Sequence, residues 1–175
     1  KGFVKIPLVE ADALSAIAAA AEAKDLSPDR ERANALAARA AGAFAAMDFS
    51  CRTFMLDVAV APLSTAATEG PTPEIRLNAV NALGNIRTGG ADALVKALAE
   101  GEGDDLKKAA ATALGSVLSA MDGTPEQIDA LIAAAGGEGD VATAALTALG
   151  QVRNLTAEQR VKIFAAHRLQ VASGN

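Results

Sequence analysis

The tripeptide Ala-Leu-Gly occurs three times in this chain, at 82–84, 113–115 and 148–150, with spacings of 31 and 35 residues. A motif that recurs at such a period is the signature of a stacked repeat, in which each unit buries its apolar face against its neighbours. The spacing therefore predicts a fold built from units of about 31–36 residues.

Alignment on the three glycines places residues of one type in shared columns. The apolar positions of the first unit, from Ile75 to Ile86, recur every three or four residues, which predicts a helix with one buried face. Glycine costs about 1 kcal/mol inside a helix, so we expect a neighbouring helix to approach it closely. The columns are Ile75, Leu106 and Val141, then Ala79, Ala110 and Ala145, then Ile86, Val117 and Val152.

A second apolar-periodic segment follows each Ala-Leu-Gly helix. The predicted second helices are 91–100, 125–135 and 157–169, and two of them begin after N-cap signals at Thr124 and Thr156. Each unit is thus a helix, a turn and a helix. The predicted units are 73–101, 104–136 and 140–169.

The N-terminal half repeats less regularly. We expect a divergent unit at 27–70, whose second helix runs from about Cys51 to Thr68 and is bent or interrupted near Pro62. Residues 1–26 form a partial unit, and the whole chain, 1–175, is one domain. Since the sequence begins without Met, we expect it to be part of a longer polypeptide.

The composition favours an all-α fold. Alanine supplies 44 of 175 residues, aromatic residues only 3%, and runs of strand-forming residues are almost absent. The net charge of −5 argues against a nucleic-acid partner. No apolar run is long enough to span a membrane. One cysteine leaves the compartment open between cytoplasm and periplasm.

Residues 74–86 resemble the short HEAT-like repeat of the phycobilin lyases. That repeat has an acid, an apolar residue and Arg, followed by Ala-Leu-Gly; its Arg is present as Arg76, becomes Lys107 in the next unit and is replaced by Ala142. The resemblance covers 74–100, 104–135 and 140–168. It implies a right-handed α-α superhelix, an armadillo-type solenoid, of about four antiparallel helix pairs.

The resemblance also implies which functional residues an active member of this repeat class would contain. Some members of this repeat class are bilin lyases, one is a di-iron hydroxylase with His-Glu pairs and one is a DNA glycosylase with a basic groove, while many are scaffolds. This chain has a single histidine, His167, and no His-Glu pair. We predict no enzyme activity, no catalytic residue, no metal and no cofactor.

Charge is distributed unevenly along the chain. Residues 92–140 hold ten acids against three lysines, whereas 141–175 hold four basic residues against Glu158. Charged positions on the second helices predict a surface for a basic peptide or protein. The predicted partner-binding residues there are Asp92, Lys96, Glu100, Glu126 and Asp129.

A cluster of large apolar residues lies between Phe44 and Met55. We expect it to fill the core of the first helix pair, with an exposed interface rimmed by Arg52 as the alternative. Cys51 is expected to be inert. The strings Gly-Glu-Gly-Asp at 101–104 and 137–140 look similar to calcium-binding repeats, but we interpret them as loops with helix caps.

The function predicted from these features is a protein-interaction module with a concave helical surface. Two alternatives are open: a rigid spacer in a larger protein, or an accessory to an enzyme that acts on a small molecule, as in the lyases.

Overall fold

The computed structural model describes the backbone of residues 52–173 and the side chains of residues 60–172. This part of the chain consists of seven α-helices and contains no strand, so the predicted all-α class is confirmed. In chain order the helices are α1 Arg52–Glu69, α2 Pro73–Ile86, α3 Ala91–Glu100, α4 Asp104–Ala120, α5 Pro125–Ala135, α6 Gly139–Leu149 and α7 Ala157–Ser173.

The helices form two layers. The Ala-Leu-Gly helices α2, α4 and α6 are successive neighbours in the first layer, and α1, α3, α5 and α7 follow one another in the second. Across the layers, α1 packs on α2, α3 on α4 and α5 on α6. Three-residue loops join these pairs, which makes them antiparallel hairpins.

The helices of the first layer run parallel to one another. At their N-terminal ends, Arg76 of α2 contacts Glu102 just before α4, and Lys108 of α4 contacts Asp140 of α6. In their C-terminal halves, a Cβ built on Gly84 would lie 2.8 Å from the Cβ of Ala113. The close approach predicted at the Ala-Leu-Gly glycine is therefore confirmed here and at Gly115, but it is wrong for Gly150, which follows the last residue of α6 and is exposed.

The core lies between the two layers and continues through all the described hairpins. The alanine column at 79, 110 and 145 is fully buried, and so is most of the other two columns, with Val141 half-buried. Small side chains in the first layer let the helices approach closely, while leucines fill the space between layers. The largest fully buried side chains include Leu63, Leu83, Leu94, Leu114, Leu131 and Leu149.

Two helix starts follow the predicted threonine caps, whereas α4 and α6 begin after Gly103 and Glu138 with no side-chain cap bond, and Asp104 and Asp140 lie within these helices. The Thr124 hydroxyl accepts from the Gln127 backbone N–H at 3.4 Å, and the Gln127 side chain accepts from the Thr124 N–H at 3.1 Å. Thr156 and Gln159 form the same capping box at the start of α7. Each box satisfies two backbone N–H groups that a helix start otherwise leaves without partners.

Two helices differ from their predicted extents. α1 continues without interruption through Pro62, and α7 extends to Ser173, four residues beyond the predicted end. Residues 170–173 include no Gly or Pro that would end the helix before Gly174. The partial unit 1–26 and most of the divergent unit 27–70 lie outside the described residues.

Candidate acidic binding surface

Most of the predicted partner-binding residues lie on the second layer. Asp92, Lys96 and Glu100 are exposed along α3, while Glu126 and Asp129 are exposed in the first half of α5. Arg52 is the first residue of α1, and its side chain lies outside the described part. Cys51 and most of the Phe44–Met55 cluster lie outside it too.

Asp92 is held in place by the neighbouring helix. Its Oδ1 accepts a hydrogen bond of 2.8 Å from Nε2 of Gln127, the residue whose Oε1 closes the capping box of α5. One amide therefore joins the starts of α3 and α5. Since the donor is neutral, the bond fixes the carboxylate and leaves its negative charge uncompensated.

A groove of about 450 Å³ opens beside Asp92. Its floor is formed by Val117, Leu118 and Met121 at the end of α4, and its rim includes Asp92 and Asp122. Ser64 and the loop at 89–90 close the opposite side. The groove thus combines an apolar floor with two carboxylates at its edge.

Sequence reasoning missed Asp122 as a member of this surface. It lies in the loop between α4 and α5, and its Oδ1 accepts a hydrogen bond from Nδ2 of Asn154 in the loop between α6 and α7. This donor is also neutral, so the hydrogen bond brings no positive charge to Asp122. The signal in the sequence was the recurrence of a polar residue 32 positions later, close to one repeat length.

Glu126 is exposed in the first turn of α5. Its carboxylate accepts from its own backbone N–H and from the Thr124 hydroxyl, and these bonds lower the pKa of Glu126. The negative charge near a helix N-terminus is also favourable for the helix dipole. Glu126 is therefore ionised throughout the neutral range.

Asp129 lies where the acidic surface ends. Lys162 donates to Glu158 at 3.0 Å, and this contact raises the pKa of the lysine. The negative charge of Asp129 raises the pKa of Lys162 further. Lys162 belongs to α7, the next helix of the second layer. The acidic surface is thus bounded by a cation on the α7 side.

Lys96 and Glu100 are not part of the same groove. They line a smaller pocket of about 160 Å³ at the other end of α3, together with Arg76 and Glu102. The structure therefore divides the predicted stripe between two places. We define the acidic surface by its four members near the larger groove: Asp92, Asp122, Glu126 and Asp129.

One acid of each Gly-Glu-Gly-Asp string forms an ion pair with the preceding helix of the first layer. Arg76 donates to Glu102 at 2.9 Å and to the Gly70 carbonyl at 3.0 Å. Lys108 donates to Asp140 at 2.7 Å, which lowers the pKa of Asp140 and raises that of Lys108. The two loops thereby connect adjacent units of the first layer.

Three further features complete the description of candidate sites. His167 is exposed on α7, six residues before the helix end. Within residues 52–173, no three His, Cys, Asp or Glu side chains are grouped so that they could hold a metal ion. In the same range, no helix has both the length and the apolar character needed to cross a bilayer.

Comparison with known proteins agrees with the architecture. A comparison with curated proteins gives no match. Residues 60–150, just over half of the chain, match the family described as HEAT repeats. These residues cover the part of the stack where parallel Ala-Leu-Gly helices pack through glycine and alanine, and on this evidence the chain belongs to the HEAT repeat family.

Proposed function

We propose that this chain is a protein-interaction module whose acidic surface binds a basic segment of a partner protein. HEAT repeats are generally interaction and scaffold modules, and they are generally not enzymes. The observation that carries the proposal is the groove of about 450 Å³ with Asp92 and Asp122 on its rim.

The chemistry of the groove fits a Lys or Arg side chain. Such a side chain can lay its methylene stem on Met121 while its charged head reaches a carboxylate. Met121 is exposed at this site, so its apolar surface is accessible to a partner. A basic peptide thus gains apolar contact and charge pairing at one position.

Electrostatics extend the attraction beyond the groove. None of the four carboxylates has an ion-pair partner within 4.0 Å among the described residues, whose ion pairs involve Glu102, Asp140 and Glu158 instead. Unpaired charges of one sign raise the rate at which an oppositely charged partner arrives. The attraction is screened at high salt.

The test measures binding of a fluorescent Lys- and Arg-rich peptide by anisotropy. We expect the triple variant Asp92→Lys, Asp122→Lys and Asp129→Lys to bind about tenfold or more weakly, and wild-type binding to weaken as salt rises. The control is Glu69→Lys, Asp104→Lys and Glu138→Lys, exposed acids outside the acidic surface with the same change in net charge.

Equal weakening in the two triple variants would show that only net charge matters, and would refute the acidic surface as the site. A wild-type chain that binds no basic peptide would favour the rigid spacer, for which the continuous core and the tightly packed first layer provide the stiffness.

The narrower resemblance to phycobilin lyases remains a prediction. On this alternative, the chain assists an enzyme that acts on a small molecule, and the small molecule binds in the groove beside Met121. Titration with a bilin, followed by its absorption spectrum, tests this alternative, and Met121→Lys should abolish any change that arises in the groove.

A further inference from the structure

The last helix, α7, leaves most of its large apolar side chains exposed, and only Ile163 among them packs partly buried against the core. Gln159, Ala166 and Gln170 face the stack and are 5–8% exposed. On the other side, Val161, Phe164, Leu169 and Val171 are 63–70% exposed. An amphipathic helix normally buries its larger apolar side chains, so the outward face of α7 is an apolar surface that the described part of the chain does not cover.

The outward face has a regular centre line. Glu158, Val161, Ala165, Arg168 and Ala172 follow one another at spacings of three, four, three and four residues, which is the stripe of a helix that packs on another helix. All five are exposed. Phe164 and Val171 border the stripe on one side, and Leu169 borders it on the other.

We propose that this face joins two copies of the chain in a two-fold dimer with antiparallel α7 helices. A two-fold axis at the height of Ile163 sets Glu158 opposite Arg168 of the second copy, and Val161 opposite Ala165. The same axis repeats both contacts in the reverse order, because a two-fold interface is self-complementary. Charge and size therefore match at every position of the stripe except its end.

Glu158 is the first residue of the stripe. It accepts from Lys162 of its own helix at 3.0 Å, one turn further on. Arg168 has no ion-pair partner within 4.0 Å among the described residues, although it lies within an apolar surface. An unpaired arginine bordered by apolar residues is typical of an interface, where the guanidinium meets a carboxylate of the other copy.

The size of the face agrees with a weak dimer. The four exposed apolar side chains present on the order of 400 Å², divided between the two sides of the stripe. Two faces together with the charged residues would bury on the order of 1,200 Å², the lower limit of specific interfaces. We expect a dissociation constant in the micromolar range.

The experiment is sedimentation velocity on the 175-residue chain from about 2 to 200 µM, a range that brackets a micromolar constant. We expect the mass to rise towards twice the monomer value. Phe164→Asp should weaken the dimer about tenfold or more, whereas Met121→Lys, an exposed apolar residue outside α7, should leave it unchanged.

A charge exchange tests the orientation. Glu158→Arg alone and Arg168→Glu alone each place like charges opposite one another and should weaken the dimer, while the double variant should restore it to within about threefold. Circular dichroism checks that each variant keeps its helices. A chain that is monomeric throughout the range overturns the proposal. A double variant as weak as the single ones overturns the antiparallel pairing.

Discussion

Gly115 in α4 lies so close to Ala148 in α6 that a Cβ built on the glycine would be 2.5 Å from the alanine Cβ and 2.7 Å from its Cα. Gly84 and Ala113 have the same relationship one unit earlier. The glycine of one Ala-Leu-Gly motif thus packs directly against the alanine of the next motif. This contact sets the spacing of the first layer, because neither residue can become larger without moving a helix.

Gly115→Ala is expected to destabilise the protein. The added methyl group gains helix propensity of about 1 kcal/mol, but it meets backbone that must shift, and overpacking costs about 1–3 kcal/mol. We expect a net loss, larger at Gly115 than at Gly84, where the Ala113 Cα is 3.0 Å away. Urea unfolding followed by circular dichroism measures both.

Gly150→Ala is the matched control. The third glycine of the series is exposed, and a Cβ there would meet only the Thr147 and Leu146 carbonyls, at 3.3 and 3.8 Å. We expect no loss of stability. A Gly115→Ala variant as stable as Gly150→Ala would show that the first layer tolerates a wider spacing.

Thr124→Ala is expected to lower the free energy of unfolding by about 1 kcal/mol, since it removes the side-chain acceptor of a capping box. Thr124→Ser retains the hydroxyl and should recover most of the loss. Thr147→Ala provides the comparison, because that exposed hydroxyl only donates to the Thr143 carbonyl within α6. If the Ser variant were as unstable as the Ala variant, the hydroxyl would not be the stabilising group.

Arg87→Gly is expected to stabilise the chain. Arg87 ends α2 with φ of 61°, in the left-handed region, and it is the one residue other than glycine with positive φ in the described range. That conformation costs a non-glycine residue about 1–2 kcal/mol, partly offset by the greater flexibility of glycine when unfolded. We expect the free energy of unfolding, measured by thermal denaturation, to increase by about 0.5 kcal/mol. The exposed Arg153→Gly should produce no gain.

The pair between Lys108 and Asp140 is expected to make stability depend on pH. The lowered pKa of Asp140 means that the pair stabilises above the ordinary aspartate value and loses its effect as pH falls through the folded pKa. The raised pKa of Lys108 means that the effect is present below the ordinary lysine value and is lost as pH rises through the folded pKa.

A double-mutant cycle with Asp140→Asn and Lys108→Gln measures this coupling. We expect a favourable coupling at neutral pH that shrinks with salt, since both groups are exposed, and that disappears in acid. A coupling that stays the same after Asp140 is protonated would exclude an ion pair as its source.

Much of the two helical layers could be predicted from the sequence because the determinants are local or periodic. The column Ala79, Ala110 and Ala145 is fully buried as expected, and the second helices at 91–100 and 125–135 have their predicted bounds. Apolar period, capping threonines and loop glycines all depend on residues a few positions apart. The match to HEAT repeats confirms the resulting fold class.

Other features depended on which loops and helices the tertiary structure brings together. Asp122 and Asp92 line one groove because the α4–α5 loop lies beside the start of α3, whereas Lys96 and Glu100 lie further along α3 and line another pocket. The helix α7 shows the same limit. Its sequence predicts a helix, but the choice of a buried face is made by packing against α5 and α6. A period identifies an apolar stripe, whereas only neighbouring helices determine whether that stripe is covered.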